Sequence, residues 1–409
     1  MEYGLIGERL GHSFSKEIHK KIADYSYELK EIKKEDIEIF LKEKDFKGIN
    51  VTIPYKETVI SYLDEISNEA KEIGAVNTIV NKNGKLIGYN TDFLGLKALI
   101  LKNNIQIKNK KVLILGSGGT SKTAEAVAKS LKAKEILKVS RSGGKSFLTY
   151  KEAEEFHNDA DVLINTTPCG MFPNVDAMPI GIDKFPNLSG VVDVIYNPLS
   201  TKLLLSAKDD AITCGGLYML VSQAVFAAEK FLEKEIDGDI FDRIYTDILK
   251  EKQNIVLIGM PSCGKSTVGK KLAKKLNRSF FDTDELIEKE ANMEISHIFS
   301  KFGEEYFRNM ESKVIKEVSK KSGVVIATGG GAILRKENIE ALKSNGKIYF
   351  LDRPLEKLEA TEDRPLTSNI SDLKKKYDER YPIYLKLAEK TIDARGTIED
   401  NIKLILEDF

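Results

Sequence analysis

From about residue 111 the chain alternates between short apolar runs and amphipathic stretches. "KVLILGSGG" leads into "KTAEAVAKSL", and "EILKVSRS", "DVLINTT" and "GVVDVIYNP" follow, each apolar run ending in small or polar residues. Apolar runs of this length, separated by helical stretches, predict the buried strands of a parallel α/β sheet. The first 100 residues mix short strands ("GINVTI", "AVNTIV") with helices and read as a separate α/β lobe. Tyr218 to about Lys252 reads as helical, with a break at Gly238, and "NIVLIG" opens a second α/β unit. The expected layout is a lobe over 1–100, completed by helices of about 218–250, then an α/β domain over 101–217 and another over 254–409. The junction "LKEKQN" is short and charged, with no Gly/Ser run, which favours close attachment of the halves over a loose string.

A length of 409 residues agrees with two or three domains. Hydrophobic residues at 42% and charged residues at 31% fit a soluble globular chain. Lys+Arg and Asp+Glu both number 63, so no net charge argues for a nucleic-acid or anionic-membrane partner. Apolar runs stop at about five or six residues, far short of a membrane span, and "MEYGLIGERLGHS" lacks the features of a signal peptide. Cys169, Cys214 and Cys263 fit no zinc or disulfide spacing, and a reducing, cytoplasmic setting is expected.

"VLILGSGGTSK" ends a strand and opens a helix, with Gly116, Gly118 and Gly119 in place and Ser121 at the third glycine position of G-x-G-x-x-G. Such glycines let backbone N–H groups approach a pyrophosphate, although a ligand-free β–α corner fits too. About 20 residues on, an NAD site places an acid; here stand Ser140, Arg141, Ser142 and Lys145. Cations there suit a 2′-phosphate and favour NADP(H), the alternative being a solvated basic turn. In the first lobe, "GHSFSKEIH" carries Ser13 and Ser15, "NVTIPYK" carries Asn50, Thr52 and Lys56, "AVNT" carries Asn77, and "GYNTDFLG" carries Asn90, Thr91 and Asp92. Singly these read as helix caps or solvated charges, Asp92 as a cap included.

Together they resemble the shikimate dehydrogenase family over roughly residues 1–250. The S-x-S pair, N-V-T-x-P-x-K, V-N-T, N-T-D-x-x-G, the Gly-rich turn, "NTTPCGM", "VIYNP" and "GGLYMLVSQA" come in the family's order. The resemblance implies a substrate lobe plus a Rossmann-type NADP-binding domain. It implies that Lys56 and Asp92 form the catalytic acid pair, and that Ser13, Ser15, Thr52, Asn77, Tyr196 and Gln223 bind the substrate. It further implies that Gly116, Gly118, Gly119, Ser140, Arg141, Lys145, Asn165 and Gly216 hold NADP. Where the family often has Asn-Arg-Thr, this chain has Ser140, Arg141 and Ser142.

Downstream, "GMPSCGKST" (259–267) has the form G-x-x-x-x-G-K-S after an apolar strand, the pattern of a phosphate loop. Backbone amides of such a loop cradle phosphates, its lysine reaches the β- and γ-phosphates and its serine can ligate Mg²⁺. Gly259, Ser262, Cys263, Gly264, Lys265, Ser266 and Thr267 are therefore expected at ATP. "FFDTDELIEKE" presents Asp282 and Asp284, "GEEYFRNME" Arg308, "VVIATGGGAIL" Gly329, Gly330 and Gly331, "EDRPL" Arg364 and "RYPIYLKLA" Arg380. The helix before Arg308 shows Ile295, Ile298, Phe299 and Phe302 at helical spacing, which predicts a core face.

This set resembles the shikimate kinase family from about Asn254 to Phe409, which implies a P-loop kinase domain with a parallel sheet. By that resemblance Asp284, Arg308, Arg380 and the Gly329–Gly331 amides bind shikimate, with Lys265 and Asp284 catalytic. Ser266 and Asp282 hold Mg²⁺, and Arg364 sits on a lid and stabilises the transferring phosphoryl group. The lid stretch "EATEDRPL" is short and acidic and lacks the family's second arginine, leaving the adenine contacts unassigned. The expectation is an enzyme with two consecutive activities, reduction of 3-dehydroshikimate with NADPH and phosphorylation of shikimate with Mg-ATP. The alternatives are a quinate or broader polyol dehydrogenase, and a second half that only senses nucleotide.

Overall fold

The computed structural model describes residues 1–11, 13–358 and 370–409. They divide into two compact units, Met1–Ile248 and Leu249–Phe409.

The first unit contains two sheets. One has the strand order Tyr27–Glu31, Tyr3–Gly7, Gly48–Val51, Thr78–Lys82, Lys85–Tyr89, Glu65–Ile66. Its first three strands run parallel, and Thr78–Lys82 pairs antiparallel with both neighbours. This reversal brings Asn77, Tyr89 and the chain after Val51 to one edge of the sheet, because Thr78 stands opposite both Asn50 and Tyr89. Helix Leu217–Leu232 packs on the sheet, with Ala227 and Phe231 joining Tyr3, Leu5, Tyr27 and Val80 in one buried cluster.

The second sheet is wholly parallel, in the order Ile212–Cys214, Gly190–Asp193, Val162–Asn165, Lys111–Leu115, Glu135–Val139. The first strand in sequence, Lys111–Leu115, lies between the second and the third. That is the switch point of a doubly wound sheet, where ligands bind beyond the carboxyl ends of the strands. The helical stretch that starts near Tyr218 ends at Leu232 and resumes as Asp239–Lys252, so the break is wider than Gly238 alone; Glu233 takes the left-handed conformation that stops the first helix.

The second unit is built on one parallel sheet in the order Phe280–Asp282, Val325–Ala327, Asn254–Ile258, Gly346–Asp352, Lys390–Asp393. Its central strand is the fully buried run "NIVLI", which matches a strand covered on both faces. The long helix Ile295–Ser319 departs from expectation. Ile298 is buried, but Phe302 is 46% exposed. Gly303 beside it has φ +83°, which breaks the helical path, so Phe302 stands at the end of the first helical segment with its ring against Tyr306.

Candidate active sites

In the first unit the expected residues gather at one edge. Lys56 Nζ lies 2.6 Å from Asp92 Oδ2, and the two side chains are only 16% and 11% exposed. Asp92 does not cap its helix, Thr91–Lys102; Asn90 does, accepting from Phe93 N at 3.0 Å. Asp92 thus sits in the first turn, where the helix N-terminus favours a carboxylate. Asn77 is buried, its Oδ1 accepting from Thr91 N at 2.7 Å and its amide donating to Gln223 Oε1 at 3.5 Å. Gln223 comes this close because Gly95 has no side chain: a Cβ there would lie 3.0 Å from that of Gln223. Ser13 and Ser15 share a hydroxyl hydrogen bond of 3.0 Å, and Ser13 Oγ accepts from Ser15 N just as helix Ser15–Ile22 begins. Thr52 follows the strand Gly48–Val51 and leads to Lys56. Phe14 meets the Tyr196 ring at 5.1 Å between centroids, so the serine pair and the Tyr196 loop lie together.

The glycine turn adjoins this cluster. Gly116 has φ +120°, and a Cβ there would stand 2.5 Å from Thr166 Oγ1. A Cβ on Gly118 would meet no atom within 4 Å, leaving its backbone open on that side. Gly119 lies against Lys56, with about 4.0 Å between its ideal Cβ and that of Lys56. Arg141 and Lys145 are exposed, in the loop after Glu135–Val139, and Ser140 is buried. Gly216 passes so near Val194 that a side chain there would overlap the Val194 carbonyl. The open glycine turn and the two exposed cations fit a phosphorylated dinucleotide.

Asn165, expected at NADP, turns its side chain into the fold. It is fully buried, donates to Asp193 Oδ1 at 3.1 Å and accepts from Thr167 N and Oγ1 at 3.0 and 2.7 Å. Its side chain is committed inward and shapes the loop. Asp193 is the centre of this knot: it also accepts from Thr201 Oγ1 at 2.6 Å and Ile195 N at 3.1 Å. Burial pushes its carboxyl up to about 6 despite those hydrogen bonds. "VVDV" is one apolar run in which the acid has no period to mark it, so sequence reading passed over it.

In the second unit the phosphate loop and the acceptor candidates line one cavity of about 600 Å³. Lys265, Ser266, Asp282, Asp284, Arg308, Gly329–Gly331 and Arg380 all face it, with Phe299 and Phe307 on its apolar side. The loop requires its glycines. Gly259 has φ +148° and Gly264 φ +98°, and a Cβ on Gly259 would stand 2.8 Å from Leu351 O. Cys263 is buried, its Sγ 3.6 Å from Lys265 Nζ; Ser262 lies in the loop and Thr267 in the first turn of helix Lys265–Leu276. Ser266 Oγ donates to Asp282 Oδ2 at 2.6 Å, and Asp282 Oδ1 accepts from Asp284 N at 3.0 Å at the start of helix Thr283–Ala291. Two hard oxygens side by side at the phosphate loop fit a Mg²⁺ that keeps most of its waters.

The glycine run owes its composition to its neighbours. A Cβ on Gly329 would lie 2.5 Å from Asp284 Oδ1, and one on Gly331 would lie 2.3 Å from Arg308 Nη1. Arg308 donates to Glu311 Oε2 at 2.8 Å and to Glu304 Oε1 at 3.1 Å. Glu311 is fully buried, and burial raises its carboxyl although Arg308 and Arg380 pull it down. Sequence reading missed Glu311; the usable signal was an acid three residues after a chosen arginine on one helix. Arg380 is 3% exposed. Arg364 and the stretch "EATEDRPL" lie outside the described residues.

Family-model comparison matches residues 261–408 to shikimate kinase and residues 5–79 to the shikimate dehydrogenase substrate binding domain. A shikimate dehydrogenase (NADP(+)) of Clostridium perfringens is 42% identical over 265 residues, which is 60% of this chain and 97% of that protein. Among solved structures, shikimate dehydrogenase 1 from Peptoclostridium difficile is 38% identical with a TM-score of 0.57, covering 61% of this chain and 98% of that one. A Thermus thermophilus shikimate 5-dehydrogenase in complex with NADP(H) and shikimate is 28% identical with a TM-score of 0.55, over 60% of this chain and 99% of that one.

Proposed function

From the premise that this chain belongs to the shikimate dehydrogenase family and carries a shikimate kinase domain behind it, we propose that it makes shikimate in one unit and phosphorylates it in the other. The dehydrogenase is NADP(+)-type, and both activities lie in the shikimate pathway. The observation that carries the reading is the cavity of the second unit. There a phosphate loop faces two buried arginines and a side-chain-free glycine run, the equipment for holding a small carboxylated polyol.

In the first unit, NADPH when bound supplies the hydride. Lys56 supplies the proton: held by Asp92 at 2.6 Å, its ammonium donates to the oxygen that becomes an alkoxide. Ser13, Ser15, Thr52, Asn77 and Gln223 orient the substrate's hydroxyls and carboxylate. Tyr196 joins them at the substrate, and Gly216 shapes the nicotinamide side, with Asn165 and Asp193 holding the loop behind it. Gly116, Gly118 and Gly119 receive the pyrophosphate, and Arg141 and Lys145 the 2′-phosphate.

In the second unit Arg308 and Arg380 clamp the carboxylate, Asp284 accepts from the attacked hydroxyl, and Gly329–Gly331 leave room for the ring. Mg²⁺, when held by Ser266 and Asp282, neutralises phosphate charge. Lys265 reaches the β- and γ-phosphates and Arg364 stabilises the transferring group. The test is two separate assays on the full chain: shikimate-dependent NADP⁺ reduction, and shikimate-dependent ADP release from Mg-ATP. Efficient turnover of quinate with NAD⁺ would redirect the first assignment. Tight Mg-ATP binding without phosphorylated shikimate would leave the second unit a nucleotide sensor.

A further inference from the structure

Tyr384 lies four residues after Arg380 on helix Ile370–Leu387 and is fully buried. Its ring stacks on Phe350 at 5.0 Å between centroids. Its hydroxyl stands 3.1 Å from the Gly259 carbonyl of the phosphate loop and 2.5 Å from the Gly330 carbonyl of the glycine run. The positive charge of Arg380 bears on the same phenol, whose ionisation burial pushes up out of reach, so its proton stays on the oxygen. One side chain thus touches both the phosphate loop and the glycine run.

A phenol has one proton, and here two carbonyls compete for it. The Gly259 carbonyl has a second donor, Lys265 Nζ at 2.9 Å, which also donates to Met260 O at 2.8 Å. Lys265 therefore rests on its own loop. To reach a phosphate it must leave the Gly259 carbonyl, and a buried carbonyl without a donor is costly. The Tyr384 hydroxyl is already in place to take over. When it does, the Gly330 carbonyl loses its donor on the wall of the cavity, where a polyol brings hydroxyls of its own.

We infer that Tyr384 is a positioning residue that links nucleotide binding to acceptor binding by passing its one proton between the Gly259 and Gly330 carbonyls. The inference rests on the kinase reading above. Each ligand lowers the cost of the rearrangement that the other needs, so the two reinforce each other, and by linkage equally in both directions.

Calorimetric titration of the full chain with Mg-ADP, alone and with shikimate saturating both units, tests this without turnover. Shikimate should tighten Mg-ADP binding by about threefold to tenfold, the scale of one net hydrogen bond. In Tyr384→Phe that ratio should fall to about one, with dehydrogenase activity unchanged. A merely structural loss would weaken both affinities and keep their ratio. A ratio of one in the unaltered protein, or an unchanged ratio in the variant, overturns the inference. If the variant no longer binds Mg-ADP, a ring-fluorinated tyrosine at 384 takes its place: it keeps the ring and alters the proton's acidity. An unchanged ratio there is equally fatal. Should the unaltered protein phosphorylate no shikimate, the kinase reading itself fails; turnover with a ratio of one removes only the link.

Discussion

Replacing Lys56 with alanine removes the proposed proton donor of the first unit and leaves Asp92 without its partner at 2.6 Å. A positioned general acid contributes about 10²–10⁴ in rate, or roughly 3–5 kcal/mol of barrier. Asp92 is largely covered, so its stranded carboxylate costs stability as well, on the order of 1–3 kcal/mol. The loss should appear in kcat with NADPH saturating, because Lys56 acts on the charge that develops during the reaction. The chain carries its own control: shikimate-dependent ADP release from the other compact unit should be unchanged. Asp92→Asn should also slow reduction, by mis-setting the ammonium, and the double variant should be about as slow as Lys56→Ala alone, since the two act as one device. Steady-state NADPH oxidation with 3-dehydroshikimate measures all three. Reduction within a few-fold of normal in Lys56→Ala, or losses that multiply in the double variant, would refute the pair as the proton source.

Two further outcomes follow from the site geometry. Asp193 has its carboxyl raised from 3.8 to about 6 by burial, so the folded protein binds more protons than the unfolded chain in between; its contribution to stability is present below about pH 4 and lost as pH rises to about 6. A carboxyl raised that far is worth about 3 kcal/mol; in ligand-free thermal inactivation of the reductase, Asp193→Asn should gain on the unaltered protein across that window, and parallel pH profiles would contradict the burial argument. Gly331→Ala would place a methyl 2.3 Å from Arg308 Nη1, displacing a flexible guanidinium and no backbone. The KM for shikimate in the kinase assay should rise roughly tenfold to a hundredfold, the worth of one charge-assisted carboxylate contact, with reductase activity intact; an unchanged KM would remove Arg308 from the acceptor site.

The alternation of apolar runs and helices was enough to place both parallel sheets, because their strands are buried on two faces and read as continuous apolar segments. Short or half-exposed strands such as Ile212–Cys214 and Glu65–Ile66 carry no such signature. Motif residues such as Lys56 and Gly329–Gly331 between elements, and Asp92 in the first turn of its helix, were legible because their spacing rather than any periodicity marks them. What escaped were the buried polar groups that support them. Asp193 sits inside an apolar run, Glu311 looks like one more helical acid, and Tyr384 resembles any core aromatic; each is identified only by what tertiary packing brings to it. Asn165 and Asp92 show the same limit in reverse, since spacing picked the residues while the fold decided which way their side chains face. Phe302 failed because helical periodicity holds only while the helix continues, and Gly303 ends it.

The central claim is that one chain makes the molecule it phosphorylates. Full-length protein given 3-dehydroshikimate, NADPH and Mg-ATP, with no shikimate added, tests it in one vessel by following NADPH loss and ADP formation together. ADP should appear after a lag, then match NADPH oxidised one for one, and omitting NADPH should abolish both signals. NADPH consumption without ADP, or ADP release that does not depend on NADPH, would contradict the account.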